Sequence, residues 1–135
     1  MRHARQLFRR WRCKASKESA SDHESLEGYE GHFEHFDGGW TVSFETYTQD
    51  ADFSPFLTGL PNDQCQCEHI GYVIKGKVAY RSGDGEEVFE TGDAYYVGPG
   101  HTPTLYAGTE VVEFSPTEEL GRTIEVVKRN MEAAS

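Results

Sequence analysis

Four residues with metal-binding side chains, Asp63, Cys65, Cys67 and His69, recur at every second position of the stretch Asp63-Gln-Cys-Gln-Cys-Glu-His-Ile-Gly-Tyr-Val-Ile-Lys-Gly76. Successive side chains of an extended strand alternate between two faces, so all four are expected to point the same way. A second stretch, Gly92-Asp-Ala-Tyr-Tyr-Val-Gly-Pro-Gly-His-Thr-Pro103, reads as a turn, a short aromatic strand and a tight corner that delivers His101. Cys65, Cys67, His69 and His101 form a sulfur and nitrogen set suited to zinc. Four bound ligands make a closed structural site, whereas three plus water make a catalytic one. On a regular strand, residues i, i+2 and i+4 lie along a line of about 13 Å, so two of the three strand candidates reach one ion more readily than all three. Asp63, His69 and His101 offer a different set, the two imidazoles and one carboxylate of non-haem iron oxygenases, which makes iron the second choice of ion. Asp63 follows Pro61-Asn62, however, and its side chain also reads as the cap of a turn. The bland alternative for the cluster is core packing: buried cysteine behaves as a small hydrophobe, and a lone strand histidine is commonly a hydrogen-bonded core residue.

Taken together, the two stretches resemble the paired motifs of the cupin superfamily. In that family the first motif has two histidines one residue apart, then a glutamate and a closing glycine. Here Gly76 is the closing glycine, His69 stands where the glutamate is usual, and the paired histidine positions fall on Asp63 and Cys65. Gly92, Asp93, Pro99 and Gly100 match the second motif, with Gly98 at its first proline position; its histidine position is Pro103, and the histidine stands two residues earlier as His101. Two residues is a whole strand period, so His101 can still face the same side. The resemblance spans roughly residues 39 to 116. It implies an all-β jelly-roll barrel of two antiparallel sheets, a metal bound inside it at these positions, and a homodimer.

A chain of 135 residues is long enough for one core and too short for two. Its 14 glycines and 13% aromatic content suit many short strands joined by tight turns. Charge is split: the first twenty residues carry seven cations and one acid, the remainder six cations and 22 acids. So acidic a body argues against nucleic-acid binding. Residues 1–25 read as a basic, disordered tail, in which Leu7, Phe8 and Trp11 could also form the apolar face of a short helix touching a membrane surface. No apolar run is long enough to span a bilayer. Three cysteines leave an odd thiol, Cys13 belonging to the tail, and this pattern points to a reducing, cytoplasmic compartment.

Residues 26–135 form the expected domain. Leu26 to Asp37 reads as a lead-in carrying exposed His32 and His35, and Trp40 to Thr48 as a strand with Val42, Phe44 and Thr46 on one face. Gln49 to Asn62 is expected to be a loop whose Phe53, Phe56, Leu57 and Leu60 plug one barrel mouth and offer apolar surface for dimerisation. Of Tyr72, Tyr80, Tyr95, Tyr96 and Tyr106, those facing inward could orient a small polar ligand; Tyr95 and Tyr96 must face opposite ways. Glu113 is a candidate inward carboxylate, and Glu68 should point away from the ligands. Ser115, Pro116 and Glu118 form a helix-start signature for a C-terminal helix over 116–132, with Leu120, Ile124, Val127 and Met131 as its apolar stripe. The expected function is a metal-binding protein acting on or sensing a small molecule inside the barrel.

Overall fold

The computed structural model describes residues 14–83 and 85–134. The tail features Leu7, Phe8, Trp11 and Cys13 lie outside the described residues. Among the described residues, ten strands form two antiparallel sheets. Strands β1 (Asp22–Leu26), β2 (Tyr29–Phe36), β3 (Trp40–Tyr47), β5 (His69–Lys75), β8 (Ala94–Val97) and β10 (Thr109–Pro116) pair in the order β1-β2-β3-β10-β5-β8. Strands β4 (Ala51–Asp52), β6 (Lys77–Ser82), β7 (Gly85–Glu90) and β9 (Thr102–Leu105) pair as β4-β9-β6-β7. One helix, α1 (Thr117–Ala134), follows β10. This is the jelly-roll architecture that the motifs implied.

The barrel closes because β5 passes directly into β6 across Gly76, whose φ of +81° lets the chain turn from one sheet to the other. A Cβ at Gly76 would stand 2.8 Å from the Thr109 backbone, so both the turn and the packing demand glycine. The core is built by the inward faces of both sheets: Tyr47, Val73, Val78, Tyr80, Phe89, Tyr95, Val97, Leu105 and Val111 form one buried cluster. Phe89 and Tyr95 stack within it at a centroid separation of 4.6 Å. Gly71 in β5 makes room for Tyr95, since a Cβ there would lie 2.3 Å from the ring. Gly71→Ala is therefore expected to lower the unfolding free energy by about 1–3 kcal/mol through overpacking, measured by urea denaturation; an unchanged midpoint would contradict the tight fit.

Three expectations are corrected here. The segment expected to be tail and lead-in forms β1 and β2: a turn at Gly28, φ +80°, pairs Asp22–Leu26 with Tyr29–Phe33, so the ordered sheet begins before residue 26. His32 and His35 consequently sit on a strand, His35 bonded to Thr41 Oγ1 at 2.7 Å and to Asp22 at 3.0 Å. The helix begins at Thr117, whose N–H donates to the Gly39 carbonyl at 2.8 Å, because β10 stays paired to β3 through Pro116. Finally, the apolar loop is covered: Leu57, Cys65, Cys67 and Val127 form a second buried cluster flanked by Phe53, Phe56, Leu60, Leu120 and Met131. The helix stripe thus docks on the loop that plugs the barrel mouth, and Asn130 ties the two by donating to the Phe56 and Thr58 carbonyls at 2.8 Å. The exposed large hydrophobics lie elsewhere, with Ile70, Tyr72, Ile74, Tyr96 and Phe114 on the outer face of the six-stranded sheet.

Candidate metal centre

Cys65 and His101 face one another in an isolated antiparallel bridge, the Cys65 N–H donating to the His101 carbonyl at 2.9 Å and the His101 N–H returning to the Cys65 carbonyl at 3.2 Å. The corner at Gly100, φ +89°, sets this pairing by bringing a further N–H onto the Cys65 carbonyl at 2.8 Å. His69 opens β5, opposite Val97 of β8. Between Cys65 and His69 the chain leaves the regular ladder, and Cys65 Sγ comes to 3.9 Å from His69 Nε2. Four residues of ideal strand would separate them by about 13 Å, so the irregular segment is what makes the site possible. One donor atom from each of Cys65, His69 and His101 lies within 4.8 Å of the others, and all three residues are buried.

The two remaining sequence candidates stand differently. Cys67 is buried on the same alternation as Cys65 and His69, but it is outside the converging trio and its thiol donates to the Glu68 carbonyl at 3.4 Å. Asp63 does not reach the site. Asn62 and Asp63 adopt φ values of +56° and +54°, which breaks the strand alternation before Cys65, and Asp63 Oδ1 instead accepts the Gly59 N–H at 2.9 Å. The iron-oxygenase set of Asp63, His69 and His101 is thereby corrected.

Both histidines are oriented from behind. His101 Nδ1 lies 2.6 Å from the Gly98 carbonyl, which only accepts, so Nδ1 donates there and Nε2 is the ring nitrogen left for the cavity side. His69 Nδ1 lies 2.7 Å from Ser115 Oγ and 3.8 Å from Glu113 Oε1. A carboxylate behind Nδ1 favours the proton there and leaves Nε2 toward Cys65. Burial alone would push the Cys65 thiol up, but hydrogen bonds from His101 and His69 outweigh it and bring it down to about 6. For His69 burial would lower the value, yet the Glu113 charge and the bonds to Cys65 and Cys67 hold it well above the usual imidazole range. Both directions favour an imidazolium at His69 beside a thiolate at Cys65 when no metal is bound.

Glu113 is anchored in turn. Tyr80 donates to its Oε2 at 2.5 Å, and Tyr95 donates to the same oxygen. Burial would raise its carboxyl, but the His69 charge and these two hydroxyls keep it below the ordinary value. Glu45 behaves oppositely: burial first, then the Glu113 charge, push it up to about 8, so it stays neutral at pH 7 and accepts a 2.5 Å bond from Tyr29. Glu45 borders the cavity and so keeps some accessible surface, while the packed barrel around it supplies the desolvation. The hydroxyls of Tyr29, Tyr80 and Tyr95 are all pushed upward, burial being the largest cause, and remain donors.

Sequence reasoning found Glu113 and predicted the opposite facing of Tyr95, which is buried, and Tyr96, which donates to Glu68 on the surface at 3.0 Å. It missed Glu45, Tyr29 and Ser115. Local spacing makes Ser115 a helix cap, whereas in the fold its hydroxyl orients His69. Alternation along Thr41-Ser43-Glu45-Tyr47, the face opposite Val42 and Phe44, is the signal that would have found Glu45.

The trio opens on a cavity of about 130 Å³ whose wall includes Phe33, Tyr47, Phe53, Leu57 and Leu105, with Glu45, Glu113 and Thr123 as polar points. Glu24 of β1 and Lys128 of α1, paired at 2.5 Å, stand on its margin. A more open cleft of about 450 Å³ on the outer side shares Tyr80 and His101 with it.

No protein-family model and no curated protein sequence matches the chain, but solved structures do. A protein of unknown function from Rhizobium leguminosarum superposes at a TM-score of 0.58 and 14% identity, over 76% of this chain and 94% of that one. An RmlC-like cupin from Shewanella frigidimarina superposes at a TM-score of 0.55 and 13% identity, over 78% of this chain and 90% of that one. The fold is that of a cupin. The polyketide cyclase RemF from Streptomyces resistomycificus shares it at a TM-score of 0.54 and 11% identity, over 77% of this chain and 78% of that one. At such identities the likeness speaks for the fold alone. Within this cupin fold, one thiol and two imidazoles converge on the inner side of the barrel. Among the described residues, no helix is long and apolar enough to cross a membrane.

Proposed function

We propose that this cupin holds one divalent transition ion, zinc, through Cys65 Sγ, His69 Nε2 and His101 Nε2, and that a small molecule reaches the ion's remaining position from the cavity. The observation that carries the reading is the engagement of both Nδ1 atoms, by Gly98 at 2.6 Å and by Ser115 at 2.7 Å, beside a thiol that stands 3.9 Å from His69 Nε2. A buried imidazole does not need a fixed tautomer to pack, whereas a ligating one does. One thiolate and two imidazoles fit zinc, and three protein ligands leave a fourth position for water or ligand. Bound there, zinc would supply Lewis acidity and an acidified water. The chain's own part is to orient the donors through Ser115, Gly98 and Glu113, to exclude bulk water through the α1 and loop cover, and to offer neutral Glu45 as a hydrogen-bonding group toward an uncharged ligand. The alternative, a closed structural site in a sensing module, requires Cys67 to join as fourth ligand.

Cobalt substitution separates the two. Addition of azide or imidazole to the Co²⁺-loaded protein is expected to change the visible spectrum as the probe enters the open position. A spectrum indifferent to both probes would contradict an open site.

Metal binding should also release protons. Cys65 is already ionised at pH 7, so the proton that zinc displaces comes from His69, whose raised value keeps it charged. Affinity is therefore expected to rise with pH through neutrality, and to fall more steeply once Cys65 protonates below about 6. Calorimetry at pH 7 in two buffers of different ionisation heat should give roughly one proton released per ion. No release would contradict the imidazolium–thiolate pair.

A further inference from the structure

The geometry points to a second metal site, on the outer face of the β1–β2 hairpin, where His23, Glu30 and His32 would hold a divalent ion of the zinc class. His23 and His32 are direct partners in the antiparallel register. Glu30 stands two residues before His32 and so shares its face. The two imidazoles stack with centroids 4.3 Å apart and planes 8° from parallel, and His23 Nε2 lies 3.0 Å from Glu30 Oε1. One donor atom from each of the three falls within 4.8 Å of the others. Two imidazoles and a carboxylate are a ligand set that zinc accepts, with water completing the shell.

An isolated surface ion pair explains less of this arrangement. His23 and Glu30 satisfy one another without His32, and exposed pairs of this kind contribute little to stability. Yet the ring nitrogens of His32 have no hydrogen-bond partner among the described residues, and because the two rings lie parallel, one of them turns about χ2 to bring both in-plane lone pairs onto one ion. The His23 and Glu30 side chains are 49% and 48% exposed, which leaves room for an ion and its waters to approach. The neighbouring cation does not compete: Lys17 Nζ lies 3.4 Å from Thr46 Oγ1 and 3.9 Å from Glu110. The site is separate from the barrel trio, because His23 and His32 face outward while Glu24, Leu26, Tyr29 and Phe33 of the same two strands line the cavity. An ion here would clamp edge strand β1 onto β2 and thereby stiffen one cavity wall.

The test uses the full chain and Zn²⁺ alone, in a Cys65→Ser/His101→Ala background that removes two barrel donors. That variant is expected to bind one equivalent of zinc, with affinity falling about tenfold or more when His32→Ala is added. Titration of the unsubstituted chain with Co²⁺ gives the same answer should the background variant fail to fold. One equivalent should develop a thiolate-to-cobalt charge-transfer band and a second should bind without adding to it. Zinc affinity unaffected by His32→Ala in the background variant, or cobalt binding that stops with the thiolate band, would overturn the hairpin site. Either result leaves the barrel site standing, since the two share no residue.

Discussion

Replacing His69 by alanine is expected to lower the barrel site's zinc affinity at least about a hundredfold, measured by competition with a chromophoric chelator. The reason is more than the loss of one ligand of three. His101 is the larger cause that brings the Cys65 thiol down to about 6, but His69 adds a hydrogen bond and a charge to it and keeps the Glu113 carboxyl low, so its removal leaves the remaining sulfur less ionised. Ser115→Ala offers a graded comparison. It keeps all three donors and removes only the hydroxyl 2.7 Å behind His69 Nδ1, and should weaken zinc about ten- to hundredfold. If Ser115→Ala were silent while His69→Ala abolished binding, orientation from behind would not matter and the reading of the tautomers would be wrong.

The largest effect on stability is expected at Glu113. Its carboxylate is buried, faces His69 and accepts hydrogen bonds from both Tyr80 and Tyr95. Glu113→Ala would leave two hydroxyl donors and a charged imidazole without their acceptor inside the core. Removing one partner of a buried, hydrogen-bonded charge pair costs about 3–5 kcal/mol, and denaturant unfolding should show a loss of that order. Glu113→Gln keeps the volume and one acceptor oxygen, so it should cost less while still lowering the His69 value. A loss below about 1 kcal/mol for the alanine variant would mean that the carboxylate is solvated or neutral in the folded protein.

The two motif stretches were legible because their physics is local. Strand alternation placed Cys65, Cys67 and His69 on one buried side, and Gly76, Gly92 and Gly100 each take the positive φ that their turns require. Asp63 escaped because alternation says nothing about where a strand begins, and two residues with positive φ immediately precede the extended run. The β1–β2 hairpin escaped because Glu, His and Gly are poor strand formers: β2 reads Tyr-Glu-Gly-His-Phe-Glu-His-Phe and is held by pairing on both sides. Ser115 satisfied every local rule for a helix cap and was recruited by His69, a residue 46 positions away. Glu45 was hidden because alternation in β3 separates two faces without saying which one is inner; Ser43, Glu45 and Tyr47 line the cavity. In a barrel with a polar cavity, carboxylates line the wall and Phe44 turns outward.

One sulfur and two imidazoles are proposed to share an ion. X-ray absorption of the His32→Ala chain, loaded with one equivalent of zinc, reads that shell directly. One sulfur at about 2.3 Å and two nitrogens at about 2.0–2.1 Å are expected, with a further light atom from solvent. A shell of nitrogen and oxygen alone, or one containing two sulfurs, would contradict the shared site.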